Sequence, residues 1–143
     1  IQSMFTSRLP NDNDYHVVFS SYAERHYIKR FAKDYKGKQW AVTRDSIFQD
    51  LKRIHALAAT QQVDELKQGD GCILFKYDFA VAQTRVSPKA SGNRCLIFLD
   101  TVRQLQTVLL VYGKGDIPKN QQETSYIFGV AQSEFSELWR RLS

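Results

Sequence analysis

Between residues 72 and 82, Ile73, Phe75, Tyr77, Phe79 and Val81 alternate with Cys72, Leu74, Lys76, Asp78, Ala80 and Ala82. A period of two predicts a strand with one strongly apolar face. Cys95–Leu99 predicts a second strand. Val108–Tyr112 is the near-continuous apolar run expected of a central strand buried on both sides. Tyr15–Phe19 reads as a short first strand. From Ser20 the period changes: Ala23, Tyr27, Phe31 and Tyr35 recur every four residues, with Ile28 beside them, which is one face of a helix ending near Gly37. A second helix is predicted from Thr43 as N-cap, with Ile47, Leu51, Ile54 and Ala58 on its buried side. Two such helices with a short link form an antiparallel hairpin.

The connecting segments are polar. Thr60–Asp70 is expected to be irregular, with one helical turn around Val63–Leu66, and RVSPKASGNR (85–94) has the glycine, asparagine, serine and proline of a hairpin turn. Asn120 and Glu123 have the spacing of a capping box before a last helix traced by Ile127, Ala131, Phe135, Leu138 and Leu142. The resulting order is β-α-α-β-β-β-α. It predicts an α+β fold, a small and mostly antiparallel sheet with its helices on one side. The domain is expected over 15–143, preceded by a loose arm over 1–14 in which Ile1-Gln2-Ser3 before Met4 reads as a cloning remnant.

With 143 residues the chain is long enough for one domain with a real core. Its 20 Lys and Arg against 15 Asp and Glu give +5, which favours a nucleic acid or an acidic protein as partner without choosing between them. No run reaches the roughly 18 apolar residues of a membrane span, so no membrane partner is expected. Cys72 and Cys95 sit inside apolar runs and read as buried thiols of a cytoplasmic protein. No phosphate-binding or dinucleotide glycine pattern, HExxH or CxxC is present, and no metal or other cofactor is expected.

Charge gathers where the strands turn. If the three later strands form a meander, both ends of the 85–94 turn and the exit of the last strand lie at one end of the sheet. Arg85, Lys89, Arg94 and Lys114 then converge on one rim, which Tyr126 joins from the last helix; Lys119 precedes that helix. Such a rim suits phosphate binding and stabilisation of a phosphoryl-transfer transition state; the same cations equally suit a solvated turn. The first helix carries Arg25, Lys29, Arg30, Lys33 and Lys36 on its other face, either an ordinary exposed face or one that contacts RNA phosphates.

Phe75-Lys76-Tyr77-Asp78-Phe79, Ser91-Gly92-Asn93-Arg94-Cys95-Leu96-Ile97-Phe98 and Val108-Leu109-Leu110-Val111-Tyr112-Gly113-Lys114 together resemble the RelE/ParE superfamily of type II toxin–antitoxin toxins. The resemblance implies a RelE-like, microbial-ribonuclease-type fold over 15–143. In the RelE-like branch it implies a ribosome-dependent mRNA endoribonuclease in which a ribose 2′-hydroxyl attacks the adjacent phosphate. Arg94 then matches the strand arginine that stabilises the transition state. Lys89 and Arg85 approximate the preceding basic positions and Lys114 the last loop, and Tyr126 is the weakest match. Proton transfer falls to Lys89, Tyr126 or Glu123, since no histidine lies near these strand ends. The partners implied are a cognate antitoxin, mRNA and the ribosome, with Lys29, Lys33 and Lys119 joining Arg85 as RNA contacts. The ParE-like branch instead implies a gyrase inhibitor that cuts no RNA, and a third alternative is a homologue that binds RNA without cleaving it.

Overall fold

The computed structural model describes residues 15–29, 33, 37–82 and 84–142. Five strands form one sheet: β1 (His16–Phe19), β2 (Val63–Gly69), β3 (Cys72–Phe79), β4 (Asn93–Asp100) and β5 (Leu105–Gly113), in the spatial order β1-β5-β4-β3-β2. β2 through β5 pair antiparallel as a meander, while β1 pairs parallel with β5. The sheet is therefore mixed but mostly antiparallel, within an α+β fold. Three of its strands supply most of the core, with Ile73, Phe75, Leu96, Ile97, Leu110 and Val111 sealed from solvent. As the apolar run at 108–112 predicts, β5 is paired on both edges and buried on both faces.

The helices are α1 (Ser21–Ala23), which runs on as the π-helical stretch Glu24–Ile28, then α2 (Gly37–Lys52), α3 (Ile54–Ala58), α4 (Pro88–Ser91), α5 (Glu123–Glu134) and α6 (Ser136–Arg140). Ser20 caps α1, accepting from Ala23 N at 3.1 Å while its hydroxyl donates to the Leu109 carbonyl at 3.0 Å. That pair of bonds ties the start of the helix to β5.

The helices do not lie on one side of the sheet. Tyr77 donates to Asp50 of α2 at 2.5 Å, and Gln106 donates to the Leu51 carbonyl at 2.6 Å, so α2 covers one face. Lys76 and Asp78 point the other way by strand alternation, and there Lys76 meets Glu123 of α5. Cys72, also on that face, donates to the Arg141 carbonyl just beyond α6 at 3.3 Å. The sheet needs cover on both faces because its three inner strands are apolar on both.

Four other expectations are corrected. Residues 63–69 form β2, not a helical turn; the strand is polar because it is a sheet edge, and a bulge between Glu65 and Lys67 interrupts its alternation. The element order thus contains one more strand than expected. Thr43 is not an N-cap: α2 is already under way, and the buried Thr43 hydroxyl donates to the Gln39 carbonyl and accepts from Ala82 N, both at 2.7 Å. Asn120 does not cap α5. The cap position is Gln122, without a side-chain bond, and Glu123 turns toward the sheet instead of back to the helix. The last helix is two helices, broken at Phe135. Tyr27, Phe31 and Tyr35 of the expected first-helix face, Arg30 and Lys36 opposite them, and the arm 1–14 lie outside the described side chains.

Candidate functional site

The meander register places Phe79 opposite Asn93 and Asn93 opposite Gly113, so the end of β3, the start of β4 and the end of β5 meet at one end of the sheet. One step inward, Asp78, Arg94 and Tyr112 form a continuous row across the three strands. Residues directly opposite on one face of a sheet have side chains in reach of each other. Arg94 Nε donates to Asp78 Oδ1 at 2.7 Å, and Arg94 Nη1 donates to Glu123 Oε1 at 2.9 Å. The Tyr112 hydroxyl donates to Glu123 Oε2 at 2.7 Å, and Lys76 Nζ approaches the same oxygen at 3.4 Å. Asp64 on the edge strand lies 3.9 Å from Lys76 Nζ.

Beside this cluster opens a cleft of about 460 Å³, lined by Gln61, Val63, Asp64, Lys76, Asp78, Lys89 and Arg94. The chain that leaves β3 and returns to β4 carries Arg85 and Lys89, both exposed, around the cleft end of the sheet. Gly92 closes α4 with φ +74°, a conformation that favours glycine. Lys114 uses that gap: its Cγ would lie 3.3 Å from a Cβ at Gly92, and its backbone N donates to the Gly92 carbonyl at 3.1 Å. A side chain at 92 would meet the lysine stem.

Burial and charge set the protonation states. Burial alone would raise the Glu123 pKa, but the Tyr112 hydrogen bond and the nearby charges of Lys76 and Arg94 outweigh it, and the carboxyl lies below its usual range. Burial first, then hydrogen bonding to Glu123, pushes Tyr112 far above an ordinary tyrosine, so it remains a protonated donor. For Arg94, burial opposes the charge, yet Asp78 and Glu123 more than compensate and its pKa is raised. At neutral pH a charged Arg94 and an ionised Glu123 therefore flank a neutral phenol.

The predicted meander is present and brings the ends of its strands together, but Arg94 does not stand on an open rim. It is 8% exposed and held by two carboxylates. Its position opposite Asp78 is a consequence of register, which pairs the two oppositely charged residues on one face. Lys89, Lys114 and Lys119 are exposed near this end of the chain's strands and in the loop before α5. Tyr126 is half-buried, with its ring edge-on to Tyr112 at 6.5 Å between centroids. Lys29 and Lys33 are exposed and are not among the residues that line the cleft.

Lys76, Asp78 and Tyr112 are site residues that reading the sequence missed. Their signal was there: Lys76 and Asp78 are the two charges inside an otherwise apolar strand, on the same side of its alternation. Among the described residues no group of three or more His, Cys, Asp or Glu side chains is placed to hold a metal ion, and no helix is long and apolar enough to cross a membrane. Comparison with family models, curated proteins and solved structures finds no match to the chain.

Proposed function

We propose that this protein is the toxin of a type II toxin–antitoxin module, a cytoplasmic, RelE-like endoribonuclease that cleaves mRNA on the ribosome. The observation that carries the reading is the Asp78–Arg94 pair, which lines a cleft together with Lys76 and Lys89. This supplies cations to hold a phosphodiester and a carboxylate to take a proton within one small volume. Lys89, Lys114 and Arg85 grip the backbone, while Lys76 and Arg94 stabilise charge on the phosphorane-like state. Asp78 accepts the proton of the ribose 2′-hydroxyl as its oxygen attacks phosphorus. The bond to the 5′-oxygen breaks, that oxygen takes a proton from Lys89, and the products are a 2′,3′-cyclic phosphate and a 5′-hydroxyl. The partner is an antitoxin whose acidic, amphipathic helix covers the basic rim.

The test is message cleavage in a translating extract. Wild type should leave fragments with 5′-hydroxyl ends, and Lys89→Ala, an exposed position, should slow cleavage by about 10²-fold. Intact message at high protein concentration overturns the nuclease. Cleavage unaffected by Lys89→Ala moves the chemistry away from this cleft.

A second reading draws on one observation, the engagement of the Arg94 guanidinium from two sides. An arginine so occupied suits a structural cluster beneath a basic rim that binds without cutting, as in a ParE-like gyrase inhibitor or an RNA-binding homologue. DNA damage on expression with intact message favours the first of these, and harmless expression the second.

A further inference from the structure

The Glu123 carboxylate sits in surroundings that would suit a phosphate. Each of its oxygens takes a short hydrogen bond from the sheet, from Arg94 Nη1 at 2.9 Å and Tyr112 Oη at 2.7 Å, and Lys76 Nζ adds a positive charge at 3.4 Å. Two cations and a hydroxyl converging on one pair of anionic oxygens are the usual ingredients of a phosphate cradle. Three features show that the cradle belongs to the sheet and the carboxylate is an occupant. Arg94, Tyr112 and Lys76 project from β4, β5 and β3, the most buried part of the fold, whereas Glu123 is the first residue of a helix. Asp78 holds the guanidinium through Nε and so aims Nη1 at the Glu123 position whether or not Glu123 is there. The helix end that carries Glu123 is weakly anchored: Gln122 gives it no side-chain cap, and residues 118–122 before it are exposed.

We propose that Glu123 is a built-in occupant of an anion site formed by Lys76, Arg94 and Tyr112, and that a phosphate group enters this site by displacing it. The ligand class is phosphate, whether as a free ion or as a diester in a nucleotide chain. With Glu123 swung away, Arg94 keeps Asp78 and Lys76 keeps only the largely exposed Asp64 at 3.9 Å, so the two cations lose the one carboxylate that they share. At 21% exposure the Glu123 side chain lies within reach of solvent, so exchange requires a side-chain rotation and fraying of one helical turn, not unfolding of the core. The carboxyl is ionised at neutral pH because its neighbours hold its pKa down, as a stand-in for phosphate requires. The closed form therefore keeps phosphate out of the site, and the inference relies on the nuclease reading only for the identity of the natural diester.

The test uses the full chain at low ionic strength, with inorganic phosphate as probe and calorimetry or the phosphate-dependent rise in Tm as readout. Glu123→Ala should bind phosphate at least about tenfold more tightly than wild type, the worth of one charge-assisted hydrogen bond. Adding Lys76→Ala should remove that gain. Glu123→Gln keeps the size of the side chain and an acceptor for Tyr112 while losing the charge, and should show a smaller gain in the same direction. It serves as the variant if Glu123→Ala does not fold. A folded variant that binds phosphate no better than wild type overturns the proposal. A short oligoribonucleotide in place of phosphate separates the sources: tighter binding than phosphate identifies the diester, and weaker binding the free ion. Phosphate binding gained without message cleavage by wild type keeps the anion site and removes the nuclease. Message cleavage without that gain does the reverse.

Discussion

Asp78 and Arg94 face each other across β3 and β4 and are joined by a 2.7 Å charge-assisted hydrogen bond, with side chains 9% and 10% exposed. Neither group has much water to fall back on, so the pair is worth less than the damage done by halving it. Arg94→Ala leaves Asp78 without its partner and weakens the hold on Glu123. We expect a loss of about 3 kcal/mol in urea unfolding. Because the carboxylate then has no arginine to answer, Arg94→Ala/Asp78→Ala should cost less than the sum of the two single changes, as a double-mutant cycle measures. Additive losses would show that the two side chains act independently.

Acid should weaken the fold through carboxylates held by the native structure. Asp100 is the clearest: burial would raise its pKa, but backbone N–H groups of Arg103 and Val102 and the Arg141 guanidinium at 2.9 Å bring it below its usual value. A carboxyl with a folded pKa below its unfolded one stabilises the native state above the unfolded value, and this is lost as pH falls through the folded one. Glu123 has the same sign. Tm should therefore drop as pH falls below about 4, the unfolded carboxyl range. Asp100→Asn should lower Tm at neutral pH and flatten the acid limb, the two curves converging in strong acid. Parallel curves would remove Asp100 as a source of the pH dependence.

Residues 141 and 142 are locked against the end of β2. A Cβ at Gly69 would collide with the Arg141 carbonyl and lie 2.8 Å from Leu142 Cα, and Leu142 itself is buried. Backbone atoms cannot yield as the tip of a long side chain can. Gly69→Ala should cost about 2 kcal/mol in denaturant unfolding. Wild-type stability would mean that this contact yields easily.

Thr43 joins α2 to the strand-end segment around Ala82 through one hydroxyl. Thr43→Val preserves shape but leaves Ala82 N–H without its acceptor, at a cost of about 1–2 kcal/mol. Thr43→Ser keeps the hydroxyl and should recover most of it. Equal stabilities for the valine and serine variants would refute the role of the hydrogen bond.

If the rim grips RNA, each exposed lysine should appear in the salt dependence. Lys89→Ala and Lys114→Ala should each lower the slope of log K against log salt by about 0.7, the counterion release of one single-strand phosphate contact. Binding that weakens with no change in slope would assign these lysines another role.

Much of the architecture was legible along the chain. The alternation at 72–82 marked β3, the run at 108–112 marked a strand paired on both edges, and Ile47, Leu51 and Ile54 marked the buried side of α2. Each is set by local periodicity against burial, which acts through neighbouring residues. β2 was hidden because an edge strand with a bulge carries polar residues and a broken alternation, so nothing local separates it from a loop. Glu123 misled for a related reason: its spacing from Asn120 fits a capping box, yet cations on three-dimensional neighbours offer its carboxylate more than a backbone N–H does.

By itself the sequence determined that the basic turn at 85–94 lies between two strands and that a third returns beside them, since these follow from hydrophobic period and turn chemistry. Only the tertiary structure decided what the cations meet there. Strand register set Asp78 opposite Arg94 and Tyr112 beyond it, and helix docking delivered Glu123 onto Arg94 and Tyr112. Partners 11 to 29 residues apart in the chain share no local signal. Their pairing comes from the depth at which the core buries them, where an unpaired charge is too costly to keep.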